Sequence, residues 1–280
     1  MNSIHSIPNL YTAAGFAVGM LVGLTGVGGG ALMTPLLIIL FGFHPATAVG
    51  TDLLYAAATK TAGSFVHGFN KMIDWRVVGR LALGSVPMTI LTLAVLSRFD
   101  SNSPMARNLV TVVLTIALLI TAITLVFRDR IVAKFSARVG TLTRDRIAGL
   151  TVLVGAVLGV MVSTSSIGAG AIGVTALVLL YPQLPTARIV GSDIAHAVPL
   201  TLVAGAGHWL IGSINFDVLL SLLLGSVPGI IIGSYLAVRI PEMALRLVLA
   251  GTLVVVAAKL SLDLRSPGPA AAAATAVTNR

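Results

Sequence analysis

The residues best able to do chemistry in this chain are the few ionisable ones that interrupt its long apolar stretches. Asp52, Lys60 and Asp193 each sit inside such a stretch. An aspartate at the centre of a membrane-spanning helix costs about 2.5–3.5 kcal/mol on insertion scales, so residues of this kind tend to carry function. Asp52 and Asp193 come in matching settings, Val49-Gly50-Thr51-Asp52 and Val190-Gly191-Ser192-Asp193. Proton or cation coupling, or gating, is one use for them; capping of a helix near the interface is the structural alternative. Lys60 falls near the centre of its segment and is the most expensive residue of all. It can balance the charge of a bound anion or pair with Asp52, and Thr201 stands at its matching position. His67 and His208 are level with one another near segment ends, where handling protons competes with simple hydration. His196 follows Asp193 by three residues, close enough on one helix face for a structural hydrogen bond.

A second group of candidates lies in two small-residue breaks, Gly23-Leu24-Thr25-Gly26-Val27-Gly28-Gly29-Gly30 and Ser163-Thr164-Ser165-Ser166-Ile167-Gly168-Ala169-Gly170. Glycine lets a backbone turn and lets another group approach closely. A helix that restarts after such a break presents unpaired N–H groups and the positive end of its dipole. That arrangement binds an anion without an arginine, and the hydroxyls of Thr25, Ser165 and Ser166 can add donors. Broken helices at repeated positions are the best pointer a sequence offers to the binding site of a transporter. Close helix packing through small residues competes with this explanation. Two breaks at matched positions, both in segments of awkward length, favour a binding site made of Thr25, Gly28, Gly29, Gly30, Ser165, Ser166, Gly168 and Gly170, with Lys60.

What must position these groups is a membrane bundle. Of 280 residues, 56% are hydrophobic and 10% charged, and the mean hydropathy is +1.01. A soluble domain carries roughly a quarter of its residues charged. Leu109–Phe127 runs for 19 residues without a charge, and about 20 apolar residues span a bilayer. The chain is also a duplication. Gly28-Gly29-Gly30-Ala31 matches Gly168-Ala169-Gly170-Ala171, and the two Val-Gly-Thr/Ser-Asp settings match each other. His67 matches His208, and Gly84-Ser85-Val86-Pro87 matches Gly225-Ser226-Val227-Pro228. The offset is 140 at the first pair and 141 at the others, so a single inserted residue keeps all four in register.

The first repeat is expected over 1–138, with a broken segment at 10–42 and helices at 46–68, 76–97 and 105–127. The second is expected over 139–265, with a broken segment at 146–180 and helices at 186–210, 216–238 and 243–261. Residues 266–280, with Pro-Gly-Pro and an alanine run, are expected to be a disordered tail.

The 33 residues from Leu10 to Gly42 would measure about 50 Å as one helix. That is too long for one ~30 Å hydrocarbon core and short for two full crossings. Two short helices meeting inside the membrane, with both ends on one side, fit better. Each half then crosses an odd number of times, and the halves are inverted. Basic residues agree: Arg128, Arg130, Lys134, Arg138, Arg144 and Arg146 mark the linker as cytoplasmic. The loop with Lys71 and Arg76, Arg188, and the Arg239–Arg246 loop fall on that side as well, whereas Ile211–Asn215 falls outside. Arg98 and Arg107 run against the rule. The predicted fold is an all-α polytopic membrane protein of two inverted repeats, each a glycine-broken helical hairpin plus three transmembrane helices. Pro87 and Pro228 are expected to kink matching helices, and Trp75, Tyr181 and Trp209 to anchor at the interfaces.

The absence of cysteine removes disulfides, thiolate metal sites and a cysteine nucleophile. The net charge of +9 lies in loops between apolar blocks and does not indicate nucleic acid. There is no metal-ligand spacing and no Gly-Lys-Ser/Thr phosphate loop, so neither a metal or other cofactor nor ATP drive is expected. Met1–Leu10 has no basic n-region and no clear cleavage site, so no removable signal peptide is expected. An intramembrane hydrolase would need a nucleophile–base pair. Ser163–Ser166 has no histidine at helical spacing, and a serine hydroxyl bonded to His196 or His208 would reopen that reading.

The run Gly-Leu-Thr-Gly-Val-Gly-Gly-Gly-Ala-Leu…Pro-Leu-Leu, followed by His-Pro-Ala-Thr-Ala-Val-Gly-Thr-Asp, resembles the sulfite exporter TauE/SafE family of membrane permeases. The second-half Ser-Ser-Ile-Gly-Ala-Gly and Val-Gly-Ser-Asp segments are similar to that family's repeat, and the resemblance covers nearly everything but the tail. It implies a non-enzymatic permease, usually an exporter, for sulfite, organosulfonates or related small sulfur-containing anions, multi-pass in the bacterial inner (plasma) membrane. The residues carried over are Gly28, Gly29, Gly30, Asp52, Gly168, Gly170 and Asp193, with Ala169 replacing the middle glycine of the second triplet. The expected mechanism is secondary transport by alternating access, around a midplane site where the broken segments meet, driven by the substrate gradient or by protons. A transporter of another small ligand, such as a carboxylate or a cation, is the alternative. The expected partners are a small anion, the lipid bilayer and coupling protons; a homo-oligomer is compatible with the sequence.

Overall fold

The computed structural model describes residues 6–25, 30–69, 72–99, 104–211, 214–237 and 242–265. The described residues are all-helical, in the order α1 (Ser6–Thr25), α2 (Gly30–Ile39), α3 (Pro45–Phe69), α4 (Trp75–Leu96), α5 (Pro104–Val139), α6 (Arg144–Ser165), α7 (Ala171–Leu180), α8 (Thr186–Leu210), α9 (Phe216–Ala237) and α10 (Glu242–Arg265). Local chemistry sets where they start and stop. Pro45 and Pro104 open α3 and α5, where a missing N–H costs nothing. Asp74 caps α4 by accepting from the N–H groups of Arg76 at 3.1 Å and Val77 at 3.3 Å. Beyond α2 the chain turns at Gly42, with φ of 67°. α6 stops where Ser166 takes a left-handed φ of 58°, and α7 restarts after Gly168 and Gly170, at φ 125° and 113°.

Trp75–Leu96, Asn108–Ser136, Arg144–Ser165, Thr186–Leu210 and Phe216–Gly233 are long and apolar enough to cross a membrane. The surface of α5 shows why lipid is required. Val112, Ile116, Leu119, Ile123 and Val126 are exposed, while Leu114, Ala117, Leu118, Ala122 and Leu125 are buried. A helix that is apolar on both faces needs hydrocarbon on the outer one. The protein is a multi-pass membrane protein.

The helices pair reciprocally. The two most extensive contacts are α1 on α9 and α4 on α6, with α3 on α8 between them. A β-carbon on Gly15 would overlap the Leu222 carbonyl, and one on Gly155 the Leu81 carbonyl. Gly19 meets Ser226 as Gly159 meets Ser85, and Gly225 meets Thr12 as Gly84 meets Val152. Each contact thus recurs at the offsets found in the sequence. The order of these contacts shows that α1 and α9 run parallel, and so do α4 and α6.

α3 and α8 are antiparallel. Asp74, just past the end of α3, donates its backbone N–H to the Ser192 hydroxyl near the start of α8 at 2.8 Å. Asn215, just past the end of α8, donates its N–H to the Thr51 hydroxyl near the start of α3 at 3.2 Å. These two bonds are also equivalents of one another.

Two local expectations change. Trp75 and Trp209 are exposed, as anchors should be, but Tyr181 is buried. Its hydroxyl lies 2.8 Å from that of Thr151 and accepts from Arg80 at 3.1 Å, so it ties α4 and α6 together. Pro87 and Pro228 do lie inside α4 and α9.

Candidate functional site

The site forms where α3 and α8 cross between the two broken segments. Asp52 and Asp193 are each the eighth residue of their helix, at 0% and 1% exposure. Neither caps its own helix. Asp52 Oδ2 accepts from the Thr34 N–H at 3.2 Å and from the Thr34 hydroxyl at 2.5 Å, in the first turns of α2. Asp193 lies beside the Gly170 backbone N–H, at the start of α7. Each carboxylate therefore lies at the N-terminal end of the short helix in its own half, where a helix dipole favours negative charge. The Ser166 hydroxyl stands by Asp52, so this one side chain touches the first break through Thr34 and the second through Ser166. Gly173 makes room for the other carboxylate, because a β-carbon there would collide with Asp193.

Lys60 is buried one helical stretch beyond Asp52, within electrostatic reach of both carboxylates. Asp52 Oδ1, Asp193 Oδ1 and Ser166 Oγ make no hydrogen bond within the protein. A buried polar atom of this kind carries a desolvation penalty until something pairs with it. Two further pairs flank the carboxylates. The Ser85 hydroxyl lies 2.8 Å from His196 Nε2, and Tyr55 faces Ser226 at the equivalent position. His208 is buried, and its Nε2 lies 2.8 Å from the Ser163 carbonyl on α6.

These positions adjust several expectations. His196 bonds Ser85 rather than Asp193, for His196 Nδ1 and Asp193 Oδ1 are both without partners. His208 is not an interfacial, hydrated residue, because the turn at Ser163–Ser166 covers it. The Ser165 hydroxyl donates to the Met161 carbonyl at 2.6 Å, so its proton is spent within α6, whereas that of Ser166 is not. Gly168 and Gly170 lie in the break as expected. Gly28 and Gly29 lie outside the described residues, as do Lys71, Arg239 and the tail 266–280. Thr25 ends α1, Gly30 opens α2 and His67 lies in α3, with their side-chain surroundings outside the description.

Thr34, Tyr55, Ser85 and Ser226 were not singled out for chemistry from the sequence. Ser85 and Ser226 were visible inside the repeated Gly-Ser-Val-Pro, and Tyr55 and His196 each follow an aspartate by three. A pocket of about 240 Å³ between α1, α2 and α10, lined by Val18, Leu21, Leu32, Pro35 and Val256, is apolar and offers an anion nothing. Among the described residues, no group of three or more His, Asp or Glu could hold a metal ion.

Comparison with known proteins agrees with this architecture. The family described as Sulfite exporter TauE/SafE matches residues 11–260. A Bacillus subtilis protein named probable membrane transporter protein YjnA is 39% identical over 249 residues, which cover 88% of this chain and 96% of that protein. A second from the same organism, YdhB, is 25% identical over 82% of this chain and 91% of its own length. A probable membrane transporter protein of Xylella fastidiosa is 25% identical over 81% of this chain and 83% of its own length. No solved structure matches the chain.

Proposed function

Since the chain belongs to the sulfite exporter TauE/SafE family, we propose that it is a secondary transporter, in the exporting direction, for sulfite, an organosulfonate or a related small sulfur-containing anion across the plasma membrane. The reading has the two halves as inverted repeats that alternate access to a site between their broken segments. The observation that carries it is the position of Asp52. One buried carboxylate stands by α2 and the α6–α7 break together, with Lys60 within electrostatic reach of it and of Asp193. Two helix N-termini, one lysine and the Ser166 hydroxyl give a small anion donors from both halves at once.

Helix directions support the inversion. α1 starts on the face where α9 starts, and α2 ends six residues before α3, which starts on that same face. α6 starts where α4 starts, and α7 ends six residues before α8, which starts there too. Each broken segment thus enters and leaves on one face, and the two use opposite faces. A two-fold axis that exchanges the antiparallel α3 and α8 runs across the helices, hence in the membrane plane. Arg188 pairs with Asp74 at 3.9 Å and Arg246 with Asp129 at 3.5 Å, which groups the basic ends on one face.

The Ser85–His196 bond is the feature that would favour an intramembrane hydrolase. Its equivalent in the other half is Tyr55 facing Ser226, so both halves use the position for a hydroxyl-to-ring contact between helices. Ser85 is also wholly buried against Gly159, which leaves a scissile bond no approach. Uptake into proteoliposomes of labelled sulfite, sulfate and a sulfonate, with a carboxylate and a monovalent cation as competitors, tests the proposal. Saturable flux of a sulfur oxyanion is expected. Flux of the carboxylate or cation alone would replace the substrate class, and no flux of any of them would remove the transport reading.

A further inference from the structure

The start of α7 has a carboxyl group of the protein's own, that of Asp193, lying against it. The α7 helix is ten residues long, and its first turn is preceded by Gly168 and Gly170 in conformations that only glycine adopts easily. The Gly170 N–H lies beside the Asp193 carboxylate. Gly173 supplies the missing β-carbon that lets the carboxylate lie against the helix. Asp193 Oδ1 and the Ser166 hydroxyl of the same break, both buried, have no partner. Asp52 is held differently, because Thr34 grips it through two donors. Of the two carboxylates, Asp193 has the weaker hold, and Lys60 lies within electrostatic reach of both.

We propose that Asp193 is the resting occupant of the α7 end and that the transported anion binds there by displacing it, so that one proton is taken up by Asp193 for each anion that enters. This rests on the transport reading above and adds its coupling mechanism. Charge balance favours it. Counted with Asp52 and Asp193 ionised, Lys60 charged and both histidines neutral, these buried groups sum to one net negative charge. An anion arriving alone would make this two, in a region where water cannot screen it. When a proton from the same compartment binds the displaced carboxylate, the centre keeps its original charge while the anion takes the N–H groups of α7. Proton and anion then cross together, and both are released when Asp193 returns to the helix end.

The groups that face the two carboxylates narrow the choice of proton carrier. Lys60 and Tyr55 on α3 and His196 on α8 are the titratable ones, while α2 and the α6–α7 segment present hydroxyls and amides. Lys60 is needed to hold the negative charge in both states. His196 Nε2 is engaged with Ser85, Tyr55 is a phenol that already carries its proton at neutral pH, and Asp52 is gripped by two donors from Thr34, which leaves Asp193 as the group free to exchange partners.

Methanesulfonate is the probe of choice, because the anion of a strong acid cannot carry the proton itself. In proteoliposomes containing a pH dye, wild-type entry of methanesulfonate should acidify the lumen and should accelerate as the outer pH falls. Asp193→Asn, which keeps the shape of a protonated aspartate, should lose the acidification, and its methanesulfonate exchange should no longer vary with pH. Asp52→Asn should retain the acidification at whatever rate remains. A calorimetric titration of the purified wild type in two buffers of different ionisation heat gives a second answer that needs no variant. Binding of methanesulfonate should draw about one proton from the buffer. Wild-type flux or binding without proton uptake overturns the proposal and leaves the transport reading intact, and so does an Asp193→Asn protein that still moves protons with the anion. A wild type that neither binds nor moves methanesulfonate, sulfite or sulfate overturns both.

Discussion

At Gly168 the backbone has φ of 125°, and at Gly170 113°, yet an added β-carbon at Gly168 would find its nearest atoms no closer than 3.5 Å. The restriction there is in the main chain and not in the available space. Gly168→Ala should cost about 1–2 kcal/mol from the strained backbone alone. Gly79 and Gly149 are helical glycines with open space around them. Alanine at either should be neutral or should stabilise by up to about 1 kcal/mol. Thermal unfolding of the purified variants in one detergent separates the two classes, and equal midpoints for Gly168→Ala and Gly149→Ala would remove the claim of a strained break. At this scale the sequence betrays what is expensive. Asp52, Asp193 and Lys60 are legible because a charge among apolar residues needs a reason. Thr34 and Tyr55 are not, because a threonine or tyrosine in a membrane helix is cheap and only three-dimensional contact gives it a partner. The same cheapness hides Ser85, whose motif reads first as a proline kink.

Between elements, the decisive chemistry is the absence of side chains. Gly84 and Gly155 let α4 and α6 touch backbone to backbone, and Gly225 and Gly15 do the same for α9 and α1. With no hydrophobic drive between helices inside lipid, such close approach is what dispersion forces need. Gly84→Leu and Gly225→Leu should each cost about 3 kcal/mol or more, because the neighbour is main chain and cannot move aside. Denaturation by increasing sodium dodecyl sulfate should show losses of similar size for the two, as equivalent contacts demand. A variant that unfolds like the wild type would disprove the backbone contact in that pair. The breaks between α1 and α2 and between α6 and α7 were legible from length, since a run too long for one crossing and too short for two needs an interruption. The end of α5 was not. Its apolar run stops at Phe127, but the helix continues to Val139. Charged residues mark the end of the hydrocarbon, not of the helix, and Arg130 and Lys134 lie 5.5 and 5.9 Å from the rings of Phe127 and Phe135.

Taken whole, the molecule is fastened at two opposite places by one contact used twice. On one face the Asp74 N–H meets the Ser192 hydroxyl, and on the other the Asn215 N–H meets the Thr51 hydroxyl. These two bonds close α3 against α8 at both of its ends. Both are formed in this structure, and the carboxylates of Asp52 and Asp193 are buried. On the proposed transport reading, one fastening opens while its equivalent stays shut. The two are not equal. Arg188 adds an ion pair to Asp74 at 3.9 Å, and Thr47 stands at the matching place of the other repeat. An ion pair as exposed as this one contributes at most about 1 kcal/mol, enough to bias the resting state without locking it. The chain contains no cysteine, which makes the point directly testable with paired substitutions. Asp74→Cys with Ser192→Cys, and Thr51→Cys with Asn215→Cys, should each form a cross-link that stops anion exchange in proteoliposomes and releases it on reduction. Single cysteines should exchange normally. If either oxidised pair exchanges anions as fast as its reduced form, that contact does not open during transport, and the two halves move about some other seam.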